Sequence, residues 1–134
     1  MTTERYQKGL NKLKELTVAT PECPTGHMDI GEGFIDVAPD LKQIIVEFAF
    51  GDIYARSGLD NKQKVLTTIS ALVAQGTPQI GMHVVTGLNV GLTPKEIVGC
   101  IMHLIPYVAF PRALNALRVA QQVFNEQGVQ VQTD

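Results

Sequence analysis

His83 is the residue whose type and position bear most directly on chemistry. An imidazole has an unperturbed pKa of about 6.5, so it can give or take a proton near neutrality. His83 follows Ile80 by three positions and precedes Gly87 by four. That spacing places it on the apolar side of a helix, with Gly87 leaving room one turn away. A general acid or base fits this pattern, and so does a core histidine with a satisfied hydrogen bond.

Cys100 and His103 are three apart and share one helix face. They offer two ligands where a structural zinc site needs four, and no second pair follows them. Even with His83 as a third donor, no metal site is expected. A buried thiol and a packed or interfacial imidazole are the expected fates. The other cysteine is Cys23, and neither belongs to a C-x-x-C. Both are expected to be reduced thiols.

Three cations adjoin apolar segments. Arg56 ends a helix, where the dipole favours a cation. Lys64 borders a buried stripe and can extend along it. Arg112 stands near a helix start, where a cation is disfavoured, so a specific partner for it is expected. There is no nucleophile elbow, Walker loop or G-x-G-x-x-G in the chain.

Composition narrows the function classes. The chain has 134 residues, 45% hydrophobic and 18% charged, with a net charge of −2 and no Trp. One domain is expected at this length. Without a basic cluster, no nucleic-acid partner is expected. No apolar run is read as approaching the roughly 20 residues that span a bilayer. Met1 to Lys14 do not read as a signal peptide, and the cytoplasm is the default location.

The elements that must position these residues read as about six helices. The first covers residues 4–17, with Tyr6, Leu10, Leu13 and Leu16 at helical spacing and Gly9 as a weak point. A loop rich in Pro and Gly follows. Pro39 opens a second helix, with Leu41, Ile44, Ile45, Phe48 and Ala49 as its apolar stripe and Gly51 allowing close packing. Asp60 and Gln63 form a capping box for the third helix, which buries Val65, Leu66, Ile69, Leu72 and Val73 and ends at Gly76. Thr77-Pro78 is expected to start the fourth. Thr93 and Glu96 box the start of the fifth, which Pro106 closes or kinks. Pro111 opens a sixth that ends at Gly128, and the tail is expected to be frayed coil.

Four blocks carry a family resemblance. FGDIYARSGLD, from Phe50 to Asp60, resembles F/W-G-x-x-(W/Y)-x-R-x-G-L-D. VLTTISAL, from Val65 to Leu72, stands where a Thr- and Ile-rich helix follows. HVVTGLNVGLTPKEI, from His83 to Ile97, resembles H-x-x-(G/A)-A-L-N-x-G-(V/L)-T-x-E-E-I. YVAFPRALNA, from Tyr107 to Ala116, is similar to Y-x-G-(F/V)-P-x-x-x-N-A. In order and spacing, across roughly residues 39–128, they resemble the carboxymuconolactone decarboxylase family, which includes the alkylhydroperoxidase-D-like proteins.

The resemblance implies an all-α helical bundle that assembles into rings, commonly trimers or hexamers. One branch of the family reduces disulfides or peroxides through a C-x-x-C four residues before the histidine. Here Gly76 and Gln79 occupy those positions. The other branch decarboxylates an unsaturated lactone without a cofactor, and its helix-four histidine falls on His83. The R of R-x-G-L-D is Arg56, and Lys64 stands where the family usually has Arg. Lys keeps the charge without the bidentate fork. The family's E-I-x-E becomes Glu96-Ile97-Val98-Gly99, without the second acid.

The leading expectation is therefore a cofactor-free carboxy-lyase for a small carboxylated lactone or organic acid. His83 is its proton donor, Arg56 and Lys64 hold anions, and Cys100, His103 and Arg112 are further candidates. A thiol-dependent oxidoreductase using Cys100 or Cys23 is the first alternative. A non-catalytic oligomeric binding protein is the second.

Overall fold

The computed structural model describes residues 2–17 and 31–132, so Cys23 and most of the loop around it lie outside the described residues. The described residues are all-helical, with no strand among them. They fall into two compact units, residues 1–59 and 60–134.

The first unit pairs helix α1 (Glu4–Leu16) with helix α2 (Leu41–Ile44), which runs straight on into a π-helical stretch (Ile45–Tyr54). Thr3 caps α1 by accepting from the Tyr6 amide, and a short 3-10 turn (Glu32–Phe34) precedes α2. The apolar stripe expected from α-helical spacing does not form the buried face. Ile44 and Phe48 are exposed, whereas Val46 and Gly51 are buried. The reason is the winding: π-helical bonds join residues five apart, which stacks Val46 above Gly51.

That stacked face meets α1 at very short range. A Cβ built on Gly51 would lie 2.5 Å from the Arg5 carbonyl oxygen, so only glycine fits. Gly51 does allow close packing, as its position implied. Arg5 donates to both Asp52 carboxylate oxygens, at 3.0 and 2.6 Å, and Thr3 donates to Glu47. The Arg5 hydrogen bond holds the Asp52 carboxyl below the usual carboxylate range, and the Thr3 hydroxyl does the same for Glu47.

The second unit contains α3 (Asn61–Gln75), α4 (Gly81–Asn89) and α5 (Pro94–Gln127). Both expected capping boxes form, Asp60 with Gln63 and Thr93 with Glu96. Gly76 and Gly128 end α3 and α5 in the left-handed conformation, at φ +72° and +66°. The core joins Val65, Ile69 and Val73 of α3 to Ile80 and Val84. Ile97, Ile101, Ala113, Ala116 and Ala120 of α5 close it.

Three boundaries depart from the sequence reading. Pro39 stands two residues before α2, whose cap is Asp40. The fourth helix starts at Gly81 rather than at Thr77-Pro78, because the Thr77 hydroxyl accepts from the Gln79 amide and stabilises a turn instead. Pro106 neither closes nor breaks its helix. The interruption falls at Ala109, the one residue within α5 with non-helical backbone, at φ +67° and ψ +169°. Pro111 explains it: its ring excludes a continuous helix through residue 107 and restricts Phe110.

By length and composition α5 is apolar enough to cross a membrane, with a mean hydropathy of 1.5 over its best 18 residues. No run of about 20 apolar residues was expected because these residues are spread over the two helices on either side of Pro106 and Pro111. The break at Ala109 divides the helix; Ile97, Ile101, Ala113 and Ala116 belong to the core, while only 17% of the apolar window is buried.

Candidate functional site

His83 lies in the first turn of α4, next to the fully buried Val84, and is itself half-buried. The room expected at Gly87 is not there. A Cβ on Gly87 would meet Leu92 at 3.1 Å and Ile97 and Val65 at 3.4 Å, so core side chains already fill that space. Gly87 is a packing glycine.

The hydroxyls of α3 have their protons committed to carbonyls of their own helix. Thr67 donates to the Gln63 carbonyl, Thr68 to that of Lys64 and Ser70 to that of Leu66. Each keeps lone pairs with which it can accept. Lys64 is half-buried on the same helix, one turn after the Asp60 cap. Arg56 belongs to the other unit, where it is exposed just beyond the π-helical stretch, its amide donating to Ile53.

Cys100 and His103 part company despite their spacing. The Cys100 thiol lies 3.3 Å from the Ser70 hydroxyl and 3.9 Å from the Leu66 carbonyl, which ties α5 to α3. His103 is exposed and tilts against the Tyr107 ring at 5.9 Å. Among the described residues, no three His, Cys, Asp or Glu side chains cluster as a metal site would require.

Arg112 has a specific partner, a backbone one. Its guanidinium donates to the Ala74 carbonyl at the C-terminal end of α3 and covers Gly76. A cation there satisfies an orphan carbonyl and faces the negative end of the helix dipole. Arg112 also borders a cleft of about 440 Å³ lined by Gly76, Thr77, Ile80, Asn115, Arg118 and Val119. Asn115 is the asparagine of the Y-x-G-(F/V)-P-x-x-x-N-A block, whereas Arg118, two residues past that block, belongs to no motif. The available signal was the spacing of Arg112, Asn115, Ala116 and Val119, which share one helix face.

Comparison with known proteins now identifies the class. Residues 39–122 match the carboxymuconolactone decarboxylase family, and the chain belongs to it. It is 30% identical over 128 residues to a 4-carboxymuconolactone decarboxylase from Acinetobacter baylyi, covering 94% of this chain and 91% of that protein. A nitrosuccinic acid decarboxylase from Metarhizium robertsii is 31% identical over 86 residues, 63% of this chain and 60% of that one. An uncharacterized 15.0 kDa protein from Paracoccus denitrificans is 34% identical over 94 residues, 68% of this chain and 70% of its own.

Proposed function

We propose that this protein is a cofactor-free carboxy-lyase acting on a small carboxylated organic acid or lactone. The observation that carries the reading is that two relatives, at 30% and 31% identity, are both named decarboxylases of small carboxylated compounds. In such a reaction the C–CO₂ bond breaks and leaves its electron pair on carbon. A conjugated electron-withdrawing group accepts the pair, and carbon then takes a proton. His83 is the proton donor in this reading, as the imidazole that stands half-buried in the first turn of α4. Lys64, half-buried on α3 of the same unit, is the cation assigned to a carboxylate. The exposed apolar side chains of Tyr107, Phe110 and Leu114 on α5 favour assembly into a homo-oligomer.

The test is release of CO₂ from carboxylated lactones and nitro-acids by the purified protein, repeated with His83→Ala. The expected result is a rate lowered by roughly 10²–10⁴-fold with melting little changed. An unchanged rate with a lowered melting temperature makes His83 a packed residue and removes the catalytic assignment.

A further inference from the structure

The cleft beside Arg112 lies wholly within the second unit, and its lining does not include His83. Among the described residues, no acidic side chain lines it. Two guanidiniums do, and among the described residues neither forms an ion pair with a carboxylate. Arg112 spends one N–H on the Ala74 carbonyl. Arg118 spends one on the Asn115 side-chain oxygen at 3.0 Å, which draws it back one turn toward Arg112. A guanidinium has five N–H donors, so most on each remain available.

The other polar groups point the same way. Asn115 accepts from Arg118 through its oxygen, leaving its amide N–H₂ to donate. Thr77 accepts from the Gln79 amide through its oxygen, leaving its O–H to donate. Ile80, at the cleft wall, is the cap position of α4 and supplies no side-chain cap. The unfilled positive end of that helix adds to the same field. Val73, Ile80, Ala116 and Val119 supply the apolar part of the lining.

We propose that this cleft is a binding site for a small aliphatic dicarboxylate, one carboxylate to each guanidinium and the methylene chain against the apolar wall. Arginine presents paired donors that match a carboxylate edge. About 440 Å³ admits an acid of a few carbons. The site does not depend on decarboxylation at His83.

Titration with succinate, followed by the backbone amide shifts of Gly76 and Thr77, tests it. The expected result is saturable binding, with butyrate and inorganic phosphate binding more weakly. Arg118→Gln leaves the fold intact, since among the described residues the Arg118 side chain bonds to Asn115 one turn away, and weakens succinate about ten- to a hundredfold. Arg112→Gln does the same at a lower melting temperature, through loss of the Ala74 bond. His83→Ala binds succinate as the parent does. Absence of saturable shifts, undiminished binding by Arg118→Gln, or butyrate or phosphate binding as tightly as succinate overturns the proposal. Loss of binding in His83→Ala also overturns it and moves the dicarboxylate to the His83 site.

Discussion

A Cβ on Gly9 would lie 2.0 Å from the Val46 carbonyl oxygen and 2.9 Å from the Val46 carbonyl carbon. The two backbones touch where α1 crosses the π-helical stretch, and backbone atoms cannot rotate away as a side chain can. Gly9 costs α1 roughly 1 kcal/mol of helix propensity relative to Ala, and the close approach offsets that cost. Gly9→Ala is therefore expected to destabilise by about 1–3 kcal/mol or more, against the usual gain for Gly→Ala in a helix. Chemical denaturation checks the sign; a stabilised variant would mean that the crossing is looser than described.

Ala109 presents the opposite case. Its backbone, at φ +67° and ψ +169°, occupies a region that is nearly glycine-only. The family pattern Y-x-G-(F/V)-P has glycine at this position. Relief of about 1–3 kcal/mol of strain outweighs the roughly 0.4–1 kcal/mol by which glycine's freedom favours the unfolded chain. Ala109→Gly is expected to raise stability by about 1 kcal/mol. A lower denaturation midpoint would show that Ala109 relaxes at little cost.

Acid is expected to loosen the first unit. The folded carboxyls of Asp52 and Glu47 are shifted below the ordinary range by the Arg5 and Thr3 hydrogen bonds respectively. A lowered folded pKa contributes stability above the unfolded value, near 4, and that contribution is lost as pH falls through the folded one. The Asp52 side chain is 35% exposed and that of Glu47 12%, so salt screens the Asp52 contribution, which stays modest, more than that of Glu47. Melting temperature is expected to fall below about pH 4, less steeply in Asp52→Asn. Equal acid limbs in the two proteins would remove the ion pair from the account.

The parts of this fold legible in the sequence are those set by local chemistry. Asp60 with Gln63 and Thr93 with Glu96 act within a single turn, and Gly76 and Gly128 act through their own backbone freedom. The apolar stripe of the second helix was misplaced because α-helical spacing was assumed where the winding follows a five-residue repeat. The space at Gly87 was misjudged because Leu92, twelve residues beyond Ile80, folds back to fill it. At the candidate site, the place of His83 on the fourth helix was legible, and it is half-buried there rather than buried. The cleft was less so, because it requires the end of α3 to meet the second half of α5, and helical spacing carries no information about that meeting.

The redox chemistry of the family's C-x-x-C branch needs a thiolate and a resolving thiol within reach of each other. Gly76 and Gln79 stand at the two positions, and the backbone of Gly76 is left-handed, at φ +72°. A side chain there would be strained, and its Cβ would lie 3.2 Å from the Arg112 guanidinium nitrogen Nε. The thiol of Cys100 lies against the Ser70 hydroxyl and the Leu66 carbonyl, and no second cysteine stands beside it among the described residues. The purified protein is therefore expected to show no peroxide consumption above background with a dithiol donor. Cys100→Ser is expected to change the melting curve slightly and that background not at all. Sustained turnover abolished by Cys100→Ser would make Cys100 a nucleophile and replace the carboxy-lyase reading with a thiol mechanism.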